Sequence, residues 1–379
     1  MPDGREAAVV HIKPRMAEID AAAWDSLAGD SNPFLSHGFL NALEESGSAV
    51  PETGWLPRHL VLEDSAGAMT GAAPLYLKSH SLGEYVFDHG WAQGYEHAGG
   101  RYYPKLQCCV PFTPVPGPRL LARDGESADV LATAMIEIAR RDGLSSVHVT
   151  FADEAQANRL ADLGFLIRTG YQFHWTNRGY GCFGNFLADL SSRKRKSIRK
   201  ERDQAMAGLT LRIASGSDIR ESDWDAFFDF YMETGSRKWG RPYLTRAFFS
   251  LLQSAMPERV VLFLAERNGT PVAGALNLMG RDTLYGRYWG AVEHHPFLHF
   301  ELCYYQAIEF AIAHKLARVE AGAQGEHKIQ RGYLPETTWS AHYIADSGFR
   351  RAVADFLAHE RRAVAAEMAI LAESSPFKS

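Results

Sequence analysis

MIEIARRDGLSSVHV, residues 135–149, lies without a gap over AIEFAIAHKLARVEA, residues 307–321, pairing Ile136 with Ile308, Glu137 with Glu309, Ala139 with Ala311, Leu144 with Leu316 and Val147 with Val319. In each copy, apolar residues at helical spacing, a short break and a β-branched run read as an amphipathic helix followed by a buried strand. Upstream, LVLEDSAGAMTGAAPLYLK (60–78) and LFLAERNGTPVAGALNLMG (262–280) each place a glycine-containing turn between two apolar runs, the pattern of a β-hairpin. EYVFDHGWA (84–92) and TLYGRYWGA (283–291) follow as expected third strands, rich in the aromatic and β-branched types that pleated surfaces favour. Hairpin, strand, helix, strand, met twice in one order, predicts an α/β (α+β) chain with mixed sheets flanked by helices and one architecture duplicated.

The chain's 379 residues suit two domains, and 46% hydrophobic with 22% charged residues is an ordinary globular balance. A boundary is expected where aromatic, glycine-rich YQFHWTNRGYGCFG (171–184) closes the first half, giving domains 1–180 and 181–379. The second is expected to open on a basic helix over 187–205. It should end on an amphipathic helix over 350–373 that packs back on it, followed by a frayed SSPFKS tail. A net charge of -5 excludes a protein that coats nucleic acid with its whole surface while permitting a local basic patch. The four cysteines form no CxxC pair and are too few for a disulfide framework, so reduced thiols are expected. Acids and Pro14 interrupt MPDGREAAVVHIKPRM where a signal peptide needs an apolar core, and no run approaches ~18 apolar residues. A cytoplasmic protein without a membrane span is the expectation.

The element order, closing with ANRLADLGF (157–165), resembles the GNAT acyltransferase fold, and two such domains in tandem resemble the Fem-type transferases. YYPKLQCCVPFTPVPGPRLL (102–121), LSSRKRKSIRKER (190–202) and EAGAQGEHKIQRGYLP (320–335) are similar to the FemAB-like, peptidoglycan-biosynthesis type of that family. The resemblance implies two tandem GNAT-like domains and N-acyl transfer to a small-molecule or peptide amine. The donor would be an acyl-CoA or an aminoacyl-tRNA lying between splayed strands, its phosphates against the next helix N-terminus. The corresponding loops, VPFTPVPGPRLL with Gly117 and Arg119, and AVEHHPFLHFE with no glycine, offer few N–H donors, which argues against coenzyme A in the usual pose.

The densest chemistry is in EAGAQGEHKIQRGYLP, at the end of the strand beside that cleft. Acyl transfer needs a base for the attacking amine's proton, so His327, Glu326 and Glu320 are the catalytic candidates. Lys328, Arg331 and Tyr333 are candidates to hold substrate, joined by Arg237 and Lys238 in GSRKWGRPYLTRAFF, by Tyr288 and Trp289 on the expected third strand, and by His299 and Glu301. The rival reading of the same stretch is a polar helix cap with surface ion pairs. His294, His295 and His299 do not make a metal site, because Pro296 breaks the helix that would align them, and no metal cofactor is expected. SRKRKSIRKER carries seven cations and one acid; Lys194, Arg195 and Lys196 are candidates for phosphate contact, including tRNA, against the alternative of a solvated face. No GxSxG elbow or cysteine motif is present, which favours direct transfer. The alternative from another class is a non-catalytic module that kept a duplicated cleft for a phosphorylated ligand or partner.

Overall fold

A computed structural model describes residues 8–239, 242–322 and 325–378, the side chains of 236–239 excepted. Its strands are β1 (Val9–Lys13), β2 (Trp55–Pro57), β3 (His59–Glu63), β4 (Met69–Ala73), β5 (Leu75–Lys78), β6 (Lys105–Cys108), β7 (Leu121–Ala122), β8 (Ser146–Ala152), β9 (Leu166–Thr176), β10 (Thr210–Ser215), β11 (Val260–Arg267), β12 (Thr270–Met279), β13 (Thr283–Ala291), β14 (Arg318–Glu320) and β15 (Leu334–Ile344). The expected α/β architecture of mixed sheets flanked by helices is present. Contacts divide the chain into two units: Met1–Gly170 with Thr337–Ala365, and Tyr171–Glu336 with Ala366–Ser379. The domain boundary expected at 180 thus falls at 170, and 337–365 groups with the first unit.

In the first unit, β1, β3, β4 and β7 form one antiparallel sheet. A second runs β2-β5-β6-β8 and is closed by the C-terminal part of β15, with β6 and β8 parallel. The helix Gly125–Arg141 starts at Asp124, whose side chain accepts from the Ser127 N–H at 2.8 Å. Its Leu131, Ala132 and Met135 pack with Leu106, Val147 and Val149, alternate residues on one face of the sheet. Each large apolar side chain buried this way contributes about 1.5–3 kcal/mol.

The opposite face is polar yet buried. Tyr76, Gln107, His148 and His342 form one row across β5, β6, β8 and β15, since each is the cross-strand partner of the next. His148 and His342 share a 2.7 Å hydrogen bond between their Nδ1 atoms, and Gln107 donates to Thr150. Beside this row, Lys105 Nζ donates to Glu84 at 2.7 Å, Asp88 at 2.5 Å and Ser81 at 2.8 Å, while the Tyr102 hydroxyl donates to Asp88 at 2.7 Å.

That network overturns one sequence expectation. Glu84–Ala92 is no strand: Glu84 and Asp88 turn inward to Lys105, and a helix, His89–His97, begins within the segment. The third strand is β6, and of the aromatics in 84–92 Trp91 is buried whereas Phe87 is exposed. The C-terminal helix, Ser347–Glu373, also departs from expectation. Its Val353 and Leu357 pack with Trp91 and Tyr102 of the first unit, and only its end, at Leu371, joins the second unit's core. The tail through Lys378 is held rather than frayed, with Phe377 bridging Leu190 and lying 3.9 Å beneath the Arg178 guanidinium, and Ser379 lies outside the described residues.

In the second unit the sheet runs β10-β11-β12-β13-β14 and is closed by the C-terminal part of β9. Apolar Leu284, Val319 and Trp175 share a core with Ala307, Ile308 and Ala311 of the helix Gln306–Ala313. The basic segment forms two helices, Phe183–Asp189 and Ser192–Ala205, broken at Leu190 and Ser191.

Replacing Lys105 with Met would remove the nearest counter-charge of two buried carboxylates and leave Glu84 only Lys78, at 3.9 Å, so Lys105→Met is expected to lower unfolding free energy by ~3–5 kcal/mol, read by urea denaturation.

Candidate active site in the second unit

β13 and β14 run parallel for three residues, Thr283 with Arg318, Leu284 with Val319 and Tyr285 with Glu320. β14 then ends, whereas β13 continues to Ala291. A bulge opposite Leu276 and Asn277 inserts Arg287 between the paired residues Gly286 and Tyr288, turning this part of β13 away from its earlier course. Close approach requires glycine further along β13, at 290, where a Cβ would lie 2.1 Å from the Phe230 carbonyl oxygen.

Glu320 is the last paired residue of β14. It faces Tyr285 on one side and His174 of β9 on the other, so the three share a row across the sheet. Glu320 and His174 are buried, 3.8 Å apart, and among the described residues neither Glu320 Oε2 nor the His174 ring nitrogens has a hydrogen-bond partner. Burial pushes the Glu320 carboxyl up to about 8, against the opposing pull of Arg318 and Arg287. Burial also lowers His174 to about 3, assisted by the positive charges of Arg318 and Lys328, so its imidazole is neutral.

Beyond β14, Gly325 at φ 110° and Gly332 at φ 88° bracket a 3-10 turn, Glu326–Arg331. Glu326 and His327 are exposed, whereas Lys328 and Arg331 are buried. Lys328 Nζ donates to the Gly322 carbonyl at 2.9 Å, and burial lowers its ammonium to about 7. His327 Nε2 shares a 2.9 Å hydrogen bond with the Tyr304 hydroxyl. Its ring lies among those of His299, Phe300 and Tyr304, and Trp289 meets His299 edge-on at 5.3 Å. Tyr304 belongs to a π-helical turn, Glu301–Tyr305, a backbone irregularity frequent at functional sites.

Of the remaining candidates, Tyr333 is buried and donates to the Tyr304 carbonyl at 3.2 Å, and Tyr288 packs edge-on to Tyr231. Glu301 is fully engaged: it accepts from Arg202 at 2.8 Å and Gln306 at 2.6 Å. The side chains of Arg237 and Lys238 lie outside the described residues. Lys194 reaches Gln330 at 2.9 Å, Arg195 donates to the Ala188 carbonyl, and Lys196 is exposed. In the first unit, Gly117 and Arg119 are part of a buried loop. Arg119 donates from all three nitrogens to the carbonyls of Val115, Gly117, Pro118 and Thr150, a role in loop shape rather than in anion binding. His174, Tyr304 and Asn277 were not singled out by the sequence; polar Gln172 and His174 alternating with Phe173 and Trp175 is the signal that marks a strand with a polar inner face.

A family model of proteins of peptidoglycan biosynthesis/recognition matches residues 15–379. The chain belongs to the FemAB-like family. Among solved structures, this FemAB-like protein is similar to FemX, at 12% identity and a TM-score of 0.55, covering 89% of this chain and 98% of that one. It is also similar to L-PGS from Bacillus licheniformis, at 11% identity and a TM-score of 0.51, covering 89% and 96%. A tandem GNAT protein from the clavulanic acid biosynthesis pathway shares 13% identity at a TM-score of 0.48, covering 90% and 99%. At such identities the likeness is one of fold. A comparison with curated protein sequences gives no match. Among the described residues, no helix is long and apolar enough to cross a membrane.

The burial of Glu320 has a measurable signature. Its folded pKa, about 8, lies above the ordinary 4.5, so its share of stability is complete below about pH 4.5 and is lost as pH rises to about 8. Glu320→Gln, which does not titrate, should therefore gain on the wild-type protein by about 1.4 kcal/mol per pH unit across that window, read as unfolding free energy at pH 5, 7 and 9.

Proposed function

We propose that this FemAB-like protein transfers an aminoacyl or acyl group to an amine acceptor in its second unit, where β13 and β14 part. The observation that carries the reading is Glu320, a buried carboxyl with an unpartnered oxygen at the end of β14 and a pKa raised toward the working pH of a proton acceptor. The acceptor amine attacks the donor's ester or thioester carbonyl, and a C–N bond forms. The attacking nitrogen's proton passes to the Glu320 carboxylate, and the tetrahedral oxyanion collapses with loss of the donor's oxygen or sulfur, which leaves with a proton. The Tyr304 hydroxyl, held by His327, and the Lys328 ammonium supply donors near the developing negative charge.

Two features favour an aminoacyl-tRNA donor, which the Fem-type resemblance implies, over coenzyme A. The loops that would cradle a diphosphate are poor in glycine, and the helix Ser192–Ala205 exposes Arg193, Lys196, Arg199 and Lys200. The family's description favours an amine of a peptidoglycan peptide as acceptor. The first unit is assigned a binding role, since Asp124 caps the helix that would receive a donor's phosphates and so places a carboxylate there.

Transfer from aminoacyl-tRNA to a peptidoglycan peptide, followed with a labelled aminoacyl group, tests the reading. Glu320→Gln and His327→Ala should each lower kcat at least ~100-fold, His327→Ala with a melting temperature within a few degrees of wild type and Glu320→Gln with one no lower than wild type. Undiminished turnover in both would overturn the site. If aminoacyl-tRNA leaves the melting temperature unchanged and an anionic acceptor raises it, the chain is a binding module instead. Replacing Arg193, Lys196, Arg199 and Lys200 together by Ala should flatten the dependence of log binding constant on log salt by ~3.

A further inference from the structure

The helix Ser192–Ala205 has two faces with different work. Outward, Arg193, Lys196, Arg199 and Lys200 are exposed and make no ion pair among the described residues. Inward, the same helix carries an acid and a base side by side. Glu201 Oε2 accepts from Arg331 Nη2 at 2.8 Å and from the Tyr305 hydroxyl. Arg202 grips Glu301 with two nitrogens, at 2.8 and 3.0 Å, and also reaches Glu309 at 2.8 Å. Two of these partners, Glu301 and Tyr305, are the first and last residues of the π-helical turn that presents Tyr304.

Arg331 continues the chain of contacts. Its Nη1 donates to the His327 carbonyl at 2.8 Å, and its guanidinium lies 3.5 Å over the Phe300 ring. Glu201 therefore ties together the turn that carries His327 and the turn that carries Tyr304, and these two residues are joined by the 2.9 Å hydrogen bond described above. Lys194, one residue from the outward cations, ties the same helix to the 3-10 turn again through Gln330 at 2.9 Å. Charge-assisted bonds of this kind are short and directional, and a partly buried carboxylate shared by an arginine and a phenol fixes both donors.

We propose that Glu201 is a positioning residue for the His327–Tyr304 pair, and that through it RNA phosphates bound on the outward cations adjust that pair. The first half stands on geometry alone; the second rests on the aminoacyl-tRNA reading above. RNA bound outside would shift a helix whose inner side chains hold both turns, so occupancy of the outer face and geometry of the inner one are coupled. The coupling element is one helix with two ion-paired ends of contact, rather than a path through the sheet.

The test uses the full chain labelled at histidine Cε1, with His327→Gln supplying the assignment of the His327 resonance. Glu201→Gln is expected to move that resonance, as is Arg331→Gln, and the double variant should move it no further than either alone. Glu201→Asp, which keeps the charge, should restore it in part. An unmoved His327 resonance in Glu201→Gln overturns the positioning role whatever the protein's activity. In the transfer assay Glu201→Gln should lower kcat ~10-fold to ~100-fold with KM changed less than about twofold. Unacylated tRNA added to wild-type protein should move the same resonance, and should fail to do so in Glu201→Gln and in the fourfold outward variant. Binding of tRNA that leaves the wild-type resonance in place, or moves it equally in Glu201→Gln, overturns the coupling. Absence of tRNA binding overturns both the coupling and the proposed donor, and the Glu201→Gln resonance then decides the positioning role by itself.

Discussion

A parallel ladder of only three residues, Thr283–Tyr285 with Arg318–Glu320, governs the second unit. Were β13 and β14 paired along their whole length, the sheet would be continuous and Glu320 would sit in mid-strand between neighbours. Because β14 stops and β13 bends at its bulge, Glu320 becomes a terminal residue whose carboxyl is shielded from water without being given a donor. A carboxyl in that position raises its pKa rather than bear an unpaired buried charge. The chemistry assigned to the unit follows from where one short strand ends.

The first unit has the same parallel step, between β6 and β8, and treats it differently. His148 occupies the place in the row that Glu320 holds in the second unit, and each faces a histidine of the closing strand, His342 or His174. In the first unit the two rings bond to each other, and Lys105 is met by Glu84, Asp88 and Ser81. That row nevertheless keeps the Tyr76 hydroxyl, Gln107 Oε1 and His342 Nε2 without hydrogen-bond partners among the described residues. In the second unit the row Tyr285–Glu320–His174 likewise holds a carboxyl oxygen and two ring nitrogens without partners among the described residues. Both rows hold unpartnered polar atoms, and charge is what separates them: an ammonium paired with two carboxylates flanks the first, whereas the second carries a carboxyl within the row itself.

Much of this was legible in the sequence because helix and strand periodicities are local. The residues of 135–149 and 307–321 that align without a gap have matching environments: Ile136 and Ile308, Ala139 and Ala311, Leu144 and Leu316, Val147 and Val319 are buried, and Glu137 and Glu309 are exposed. The candidate cluster at Glu320–Tyr333 was visible as chemistry packed between glycines. Its internal division was not, since nothing local distinguishes exposed Glu326 and His327 from buried Lys328 and Arg331. What escaped were the features decided across long separations. Glu84 and Asp88 read as strand residues until Lys105 draws them inward, and Glu201, one acid within a cationic run, gives no hint that it will meet Arg331. Glu301 read as a substrate contact because its bidentate partner, Arg202, is 99 residues away.

Each unit is closed by a strand from the other half of the chain: residues after Tyr171 complete the sheet of β10–β14, and residues after Thr337 complete that of β2, β5, β6 and β8. During synthesis, β8 therefore emerges from the ribosome nearly two hundred residues before the strand that bonds to its free edge. At the usual rates of elongation that edge waits on the order of ten seconds or more. An early half-protein carrying an exposed strand edge invites mispairing with other chains. This architecture thus leaves the sheet of the first unit open until the residues after Thr337 have been synthesised.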